Sequence, residues 1–312
     1  NYILGTNGGF LQYGYKPDNI KRDDLSWEKN QMINAGIDLQ MFDGYIGFSV
    51  DYYNTNTSNM LLYVPVPLLT GYSTSLQNLG KVNNRGWELA LTSQHTFANG
   101  FGYSFNANYA KNTNEVKELG PGNAPIISSG SVAHAYYITE VGKPIGNYYL
   151  LVQDGIFATE EDLKKYPHFD NTEVGDFRFV DVDGDGKLDL DKDRTICGNY
   201  MPKFTYGFGG KLWYAGFDMG VNCQGVYGNK ILNLNERYLD NMEGNTNGTK
   251  IALDRWKSPE NPGSGSVNKA NRKQTGYNSR TSTWHLESGS YLRLQNLSLG
   301  YTLPRALTQK FK

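Results

Sequence analysis

Residues 33 to 54, INAGIDLQMFDGYIGFSVDYYN, decide the fold. From Ile33 to Met41 every second residue is apolar and the residues between are mostly polar or small, which is the period of a β-strand with two unlike faces. Asp43 and Gly44 then favour a tight turn, and the alternation resumes after Tyr45. The segment therefore predicts an antiparallel hairpin with one apolar and one polar face.

The same pattern returns along the rest of the chain. The further strands are predicted at 87–97, 101–109, 204–214, 217–224 and 291–303. In the last of these, two leucines fall out of phase with those that follow, and a β-bulge near Gln295 and Asn296 restores the register. Seven strands are expected in all, six of them paired as hairpins.

The predicted connections alternate between very short and very long. The long ones span 55–85, 111–202 and 227–290. Each short turn is flanked by aromatic residues, namely Phe42 and Tyr45, Phe97 and Phe101, and Tyr214 and Phe217. Ten residues of about 3.3 Å each, tilted by about 45°, rise about 23 Å, close to the apolar band of a bacterial outer membrane. The pattern predicts an all-β fold, an antiparallel transmembrane β-barrel with long extracellular loops.

Other features of composition fit this fold class. A half-buried antiparallel sheet in a soluble protein gives the same alternation, but strand pairing, loop asymmetry and paired aromatics favour the barrel. No stretch reaches the roughly 18 apolar residues of a transmembrane helix, so strands must make any crossing. The 36 glycines, 23 tyrosines and mean hydropathy of -0.56 suit alternating strands better than helical bundles.

Charge and cysteine content exclude other classes. The formal net charge is -1 and the basic residues are scattered, so nucleic-acid binding is not expected. Cys197 and Cys223 form neither a disulfide framework nor a metal-ligand cluster. The chain starts at Asn1 without an initiator methionine or a signal peptide, and we expect it to be part of a longer protein.

Several segments resemble the SusC-like family of TonB-dependent outer-membrane transporters, in the order that the family has them. They are DLSWE (24–28), DYYN (51–54), LGKVNNRGWE (79–88), VGKPIGNY (141–148), DGIF (154–157), PKFTYGF (202–208) and YLRLQNLSLGY (291–301). The resemblance implies the C-terminal part of a barrel of roughly 22 strands, whose plug domain and other strands lie outside this sequence. It also implies the outer membrane of a Gram-negative bacterium as the location.

The same resemblance implies partners. These are a SusD-like surface lipoprotein that acts as a lid, the TonB complex contacted through the missing N-terminal part, and outer-membrane lipid. The implied function is TonB-dependent nutrient uptake of glycan or peptide fragments. A non-transporting surface barrel that acts as an adhesin or structural protein, and a passive porin, remain as alternatives.

Residues 181–193, within the predicted long loop 111–202, resemble a calcium loop. The spacing places carboxylates at Asp181, Asp183, Asp185 and Asp189, and the carbonyl of Lys187 supplies a further oxygen. Position 12 of the loop is a lysine, so the closing carboxylate is expected from Asp193 or its neighbour Asp191. A structural Ca²⁺ ion is the prediction, and a solvated acidic turn is the alternative.

No catalytic constellation is found, and an enzyme is not expected, because the four histidines are dispersed. Polar residues that alternate with the apolar ones are expected to face the barrel lumen, namely Asp38, Gln40, Asp51, Asn106, Asn108, Asp218 and Gln224. Substrate contacts are expected from loop tyrosines, because aromatic rings stack on sugars and grip peptide side chains. These are Tyr136, Tyr137, Tyr148 and Tyr149.

Overall fold

The computed structural model describes residues 2–309, apart from 8–9, 15–18, 131–134, 245 and 274–275. The strands in chain order are β1 (Tyr2–Asn7), β2 (Phe10–Gly14), β3 (Lys29–Met41), β4 (Ile46–Pro65), β5 (Thr74–Thr96), β6 (Gly102–Glu118), β7 (Ile126–Ser129), β8 (Tyr136–Thr139), β9 (Asn147–Leu151), β10 (Gln153–Ile156), β11 (Phe177–Phe179), β12 (Arg194–Gly198), β13 (Phe204–Tyr214), β14 (Phe217–Tyr227), β15 (Lys230–Leu232), β16 (Leu286–Ser288) and β17 (Tyr291–Tyr301). The α-helices are α1 (Glu160–Lys165), α2 (Glu236–Leu239) and α3 (Arg305–Thr308), and the 3-10 turns are Leu68–Thr70, Pro121–Asn123, Lys250–Asp254 and Thr283–His285.

The seven predicted strands form one antiparallel sheet. Its order is β17-β14-β13-β6-β5-β4-β3, so neighbours in sequence are mostly neighbours in space. Hairpins at short turns join β3 to β4, β5 to β6 and β13 to β14, as the sequence predicts. At the third turn Ala215 and Gly216 both have positive φ, which matches the right-handed twist of the flanking strands.

The strand β17 contains the predicted bulge. Asn222 pairs with Asn296, whereas the next residue, Cys223, pairs with Leu294. Gln295 is therefore the extra residue, and the leucines on either side of it point to the same face of the sheet.

The prediction of a long loop over 55–85 was wrong. β4 continues to Pro65 and β5 begins at Thr74, so only residues 66–73 connect them. The 20 residues of β4 rise about 47 Å at the same tilt, roughly twice the height of the apolar band. The alternation ends early because Asn54 and Arg85 stand where membrane-facing strands have apolar residues.

The other two long connections span 119–203 and 228–290, because β6 continues to Glu118 and β14 to Tyr227. They fold together as a layer beyond one end of the sheet, which we call the loop layer (119–203 and 228–290). Its sheets have the orders β12-β9-β8-β7, β10-β11 and β15-β16. Phe169, Phe177 and Phe179 form its buried core, and Tyr277 and Trp284 of the second connection pack against them.

Candidate functional site: the two faces of the sheet and the loop layer

The seven predicted lumen residues share one face of the sheet, which we call the polar face. Directly paired residues point to the same side. One row across the strands contains Asp38, Ser49, Ala90, Asn108, Gly207, Gln224 and Arg293, and the next contains Gln40, Gly47, Thr92, Asn106, Gly209, Asn222 and Asn296. Asp51, opposite Gly36 and Glu88, and Asp218, opposite Trp213 and Gly300, extend this face on either side.

Side chains on the polar face lie across the sheet instead of projecting from it. A Cβ placed on Gly207 would stand 3.0 Å from Oδ1 of Asn108, and one on Gly209 would stand 3.0 Å from Oδ1 of Asn106 and closer still to Oδ1 of Asn222. The glycines thus provide room for the amides of neighbouring strands. The concave surface above them encloses about 940 Å³ and is lined mostly by amides and backbone.

The opposite, apolar face has no layer of described residues over it. Its side chains stay exposed although they are large and apolar, as with Ile37 at 63%, Leu297 at 60% and Leu299 at 81%. Near the short turns this face carries exposed aromatic rings, including Phe42, Tyr45, Phe97, Tyr214, Phe217 and Tyr301. A continuous apolar surface of this kind needs a nonaqueous surrounding, because water around it would be unfavourable.

In the acidic segment 181–193, three of the predicted carboxylates come together. Oxygens of Asp181, Asp183 and Asp193 lie within 4.8 Å of one another, the spacing of ligands around one hard cation. Asp193 is completely buried, and its two oxygens accept hydrogen bonds from the backbone N–H groups of Val182 at 2.8 Å and Asp189 at 2.6 Å. The burial of a carboxylate against backbone donors orders both ends of the segment.

The other predicted ligands lie outside this group. Asp185 lies 3.8 Å from the ammonium of Lys192, and Asp189 accepts hydrogen bonds from the N–H groups of Asp191 and Lys192, which hold the pKa of the Asp189 carboxyl below its usual range. The backbone N–H of Lys187 donates to Asp185. Of the two candidates for the closing carboxylate, Asp193 is the one in the group.

The four predicted substrate tyrosines divide between two faces of the loop layer. Tyr137 pairs with Tyr148, and their rings lie 5.7 Å apart. Tyr148 is buried and its hydroxyl donates to the carbonyl of Lys230 at 3.3 Å, so it packs this layer. Tyr136 and Tyr149 alternate with that pair and point to the other side, where both remain half-buried.

The sequence did not reveal a buried polar network between the two long connections. Nδ2 of Asn278 donates to Asp176 at 2.9 Å and to Glu243 at 3.1 Å, and Oδ1 of Asn278 accepts from the backbone of Phe177 at 2.7 Å. Burial raises the pKa of the Glu243 carboxyl. These residues are far apart in the chain and match no motif, so only the folded structure brings them together.

Within the described part of the chain, no helix is both long and apolar enough to span a bilayer.

A two-faced antiparallel sheet with short turns at one end and a folded loop layer at the other defines a class of protein, the outer-membrane β-barrel. Residues 2–311 match the family model described as TonB dependent receptor-like, beta-barrel. The chain belongs to this family, a family of receptors and transporters that lie in the outer membrane of Gram-negative bacteria.

Individual relatives agree with this assignment. The chain is 31% identical to TonB-dependent receptor P3 of Formosa agariphila over 296 residues, which is 92% of this chain and 28% of that protein. It is 25% identical to TonB-dependent receptor SusC of Bacteroides thetaiotaomicron, over 93% of this chain and 28% of SusC. The RagAB peptide transporter structure superposes with a TM-score of 0.72 and 25% identity, over 98% of this chain and 32% of the other. The chain thus spans less than a third of each of these relatives.

Proposed function

We propose that the protein imports glycan or peptide fragments across the outer membrane, driven by a TonB complex and without covalent chemistry of its own. The observation that carries this proposal is the two-faced sheet within a chain of the TonB-dependent receptor family. In a closed barrel the apolar face meets lipid, so the polar face, with Asp38, Asn108 and Gln224, faces the interior. Its flat amides offer hydrogen bonds to a plug and leave room for one.

The loop layer is then the extracellular part of the protein. The similarity to SusC and to the RagAB transporter supports a SusD-like surface lipoprotein as the partner. The hairpin of β4 and β5 rises beyond the membrane, and Leu68 and Leu69 at its tip are 80% and 100% exposed. Apolar residues so exposed at a tip are typical of protein contacts.

Substrate contacts in this proposal come from Tyr136, Tyr137 and Tyr149, whose rings remain half-buried in the loop layer. A Ca²⁺ ion held by Asp181, Asp183 and Asp193 fixes the loop that follows β11. The RagAB structure is that of a peptide transporter, which supports peptides as one substrate class.

The test uses the full-length gene in its own bacterium. Labelled pools of peptides and of oligosaccharides are offered to cells with the gene, without it, and without the TonB complex. Import predicts that label enters the periplasm only when both are present. Entry without the TonB complex would instead indicate a passive porin, and label that stays on the cell surface would indicate an adhesin.

A further inference from the structure

Three arginines from distant parts of the chain meet at the end of strand β9. Arg194, the first residue of β12, pairs with Leu151. On the other side of Leu151 a later segment runs parallel to β9, because Leu151 forms a bridge with Ser282 and the N–H of Gln153 donates to Oγ1 of Thr283 at 2.9 Å. Arg280, two residues before Ser282, therefore lies beside the same strand end.

Arg194 is held in a fixed position. Its guanidinium lies 3.6 Å from the centre of the Tyr136 ring, a cation–π contact, and its side chain is only 7% exposed. Its Nη1 lies 3.2 Å from Asp191, a side chain that is 89% exposed. An ion pair with so exposed a partner is weak, so most of what holds the Arg194 cation in place is packing.

Arg280 and Arg237 add two further cations to this place. The Arg280 guanidinium lies 5.4 Å from the centre of the Tyr277 ring. Burial lowers the pKa of Arg280 most, and among the neighbouring charges those of Arg237 and Arg194 lower it further, as expected if both lie near the Arg280 guanidinium. Arg237 belongs to α2, and the start of that segment is tied to this region because the N–H of Asn233 donates to the carbonyl of His285 at 2.8 Å.

Beside these cations lie two buried hydrogen-bond donors for which the described residues provide no acceptor. Nδ1 of His285 accepts from the N–H of Ser282 at 3.3 Å, so the proton of the neutral ring is on Nε2, for which no described residue provides an acceptor. Burial lowers the pKa of His285 to about 4, so the ring is neutral at physiological pH. Oγ1 of Thr281, a residue that is 2% exposed, also has no hydrogen-bond partner within the described part of the chain. Buried donors are normally satisfied, so these exceptions need an acceptor other than the described residues, a role that a bound oxyanion would fill.

We infer that this arginine cluster, Arg194, Arg237 and Arg280, binds an oxyanion carried by the imported molecule, namely a carboxylate group of a peptide or of an acidic sugar. The inference rests on the proposed transport function and narrows its substrates to acidic ones. Planar guanidinium groups bind such oxyanions with paired hydrogen bonds, which lysine does not. The Tyr136 ring acts here by holding Arg194, in addition to its predicted role in substrate contact.

The experiment uses the full-length transporter purified with its lipoprotein. It is incubated with an equimolar mixture of four probes: a glutamate-rich octapeptide and its glutamine-rich counterpart, and an oligogalacturonate and its methyl ester. Retained probes are measured by mass spectrometry. We expect the acidic member of at least one pair to be retained about tenfold or more over its neutral counterpart, in line with charged hydrogen bonds. Which pair shows the preference identifies the source of the oxyanion.

Substitutions connect the preference to the cluster. Arg280→Gln and Arg194→Gln are expected to remove the preference and keep retention of the neutral probes, whereas Arg280→Lys keeps part of it. Arg272→Gln, at an exposed arginine of the same connection, is the matched control and leaves the preference intact. Heat modifiability on gels confirms that each variant is folded, and Arg237→Gln replaces any variant that is not.

The outcomes separate the inference from the proposed function. Equal retention of acidic and neutral probes, or a preference that survives in the glutamine variants, overturns the inference and leaves import in place. If the purified transporter retains no probe and cells show no gene-dependent uptake, both the inference and the proposed import function are overturned.

Discussion

The indole of Trp213 lies across Gly102, its direct partner on the neighbouring strand. A Cβ placed on Gly102 would overlap Cε2, Nε1 and Cζ2 of the indole. The aromatic ring thus covers backbone that a glycine leaves open, next to the short turns of the sheet. This pairing holds β6 against β13 where the two hairpins meet.

Replacement of this glycine is expected to destabilise the barrel. Gly102→Val forces the indole away and costs about 1–3 kcal/mol, the usual range for overpacking. The measurement is the midpoint of heat modifiability of the full-length protein. In the background Trp213→Ala the same substitution is expected to cost less, because the two residues are in contact. Equal costs in both backgrounds would show that the contact contributes nothing.

The three hairpins and the two faces could be predicted because they depend on local alternation and on short turns. Leu297 and Asn296 point to opposite sides because they are adjacent in a strand, and this alternation is visible in the sequence. The break in the alternation before them, between Leu294 and Asn296, also predicted the bulge at Gln295. The upper half of the β4–β5 hairpin could not be predicted in the same way. Beyond the membrane an apolar face is no longer needed, so polar residues such as Asn54 interrupt the alternation of apolar and polar residues. The backbone hydrogen bonds between β4 and β5 nevertheless continue past Asn54.

The candidate sites show the same division. The spacing of Asp181 and Asp183 is local and was visible in the sequence, and the structure adds that Asp193 and not Asp191 completes the group. The arginine cluster depends on Arg194 in the first long connection and on Arg237 and Arg280, far apart from each other in the second, and no local pattern indicates that they meet. The loop tyrosines could be selected by residue type, but the sequence could not separate the buried Tyr148 from the half-buried ones.

The stability of the loop layer is expected to depend on pH through Glu236. Burial in the first place, and then the neighbouring carboxylate of Glu287, raise the pKa of Glu236 to about 7. The ordinary pKa of a glutamate is 4.5, so between pH 4.5 and pH 7 Glu236 has lost its proton in the unfolded chain but keeps it in the folded chain. The free energy of unfolding therefore falls as the pH rises through that window. His285 acts in the opposite direction, because its pKa of about 4 means that the folded state loses stability as the pH falls below 6.5.

A substitution separates the two contributions. In Glu236→Gln the acid contribution is gone, so the variant gains stability relative to the parent protein as the pH rises from 4.5 to 7. The measurement is hydrogen exchange of residues 228–290 at several pH values. Glu161→Gln, at an exposed position on α1, is the control and should give no pH-dependent difference. A flat difference for Glu236→Gln would contradict the raised pKa.

Calcium is expected to order the segment 181–193 in the intact transporter. Isothermal titration calorimetry should show binding that Asp183→Asn weakens about tenfold or more, because affinity in such loops depends on the number of charged ligands. Asp183 is the ligand to change because it is exposed, whereas Asp193 is completely buried and accepts two backbone hydrogen bonds that its replacement would disturb. Asp170→Asn, at an exposed acid of the same connection, is the control. No heat of calcium binding by the parent protein would reject the ion.

The assignment of the two faces predicts that the same substitution destabilises the barrel very differently at two adjacent residues. Leu297 lies on the apolar face and Ser298 on the polar face of β17, opposite Val221 and Gly220. Leu297→Arg places a charge in lipid and is expected to cost about 2–4 kcal/mol near the middle of the membrane, whereas Ser298→Arg faces the interior and costs much less. Folding of the full-length variants into lipid vesicles, followed by denaturant titration, measures the difference. If Ser298→Arg lowers the free energy of unfolding more than Leu297→Arg does, the polar face is not the inside of the barrel, and the proposed import route is contradicted.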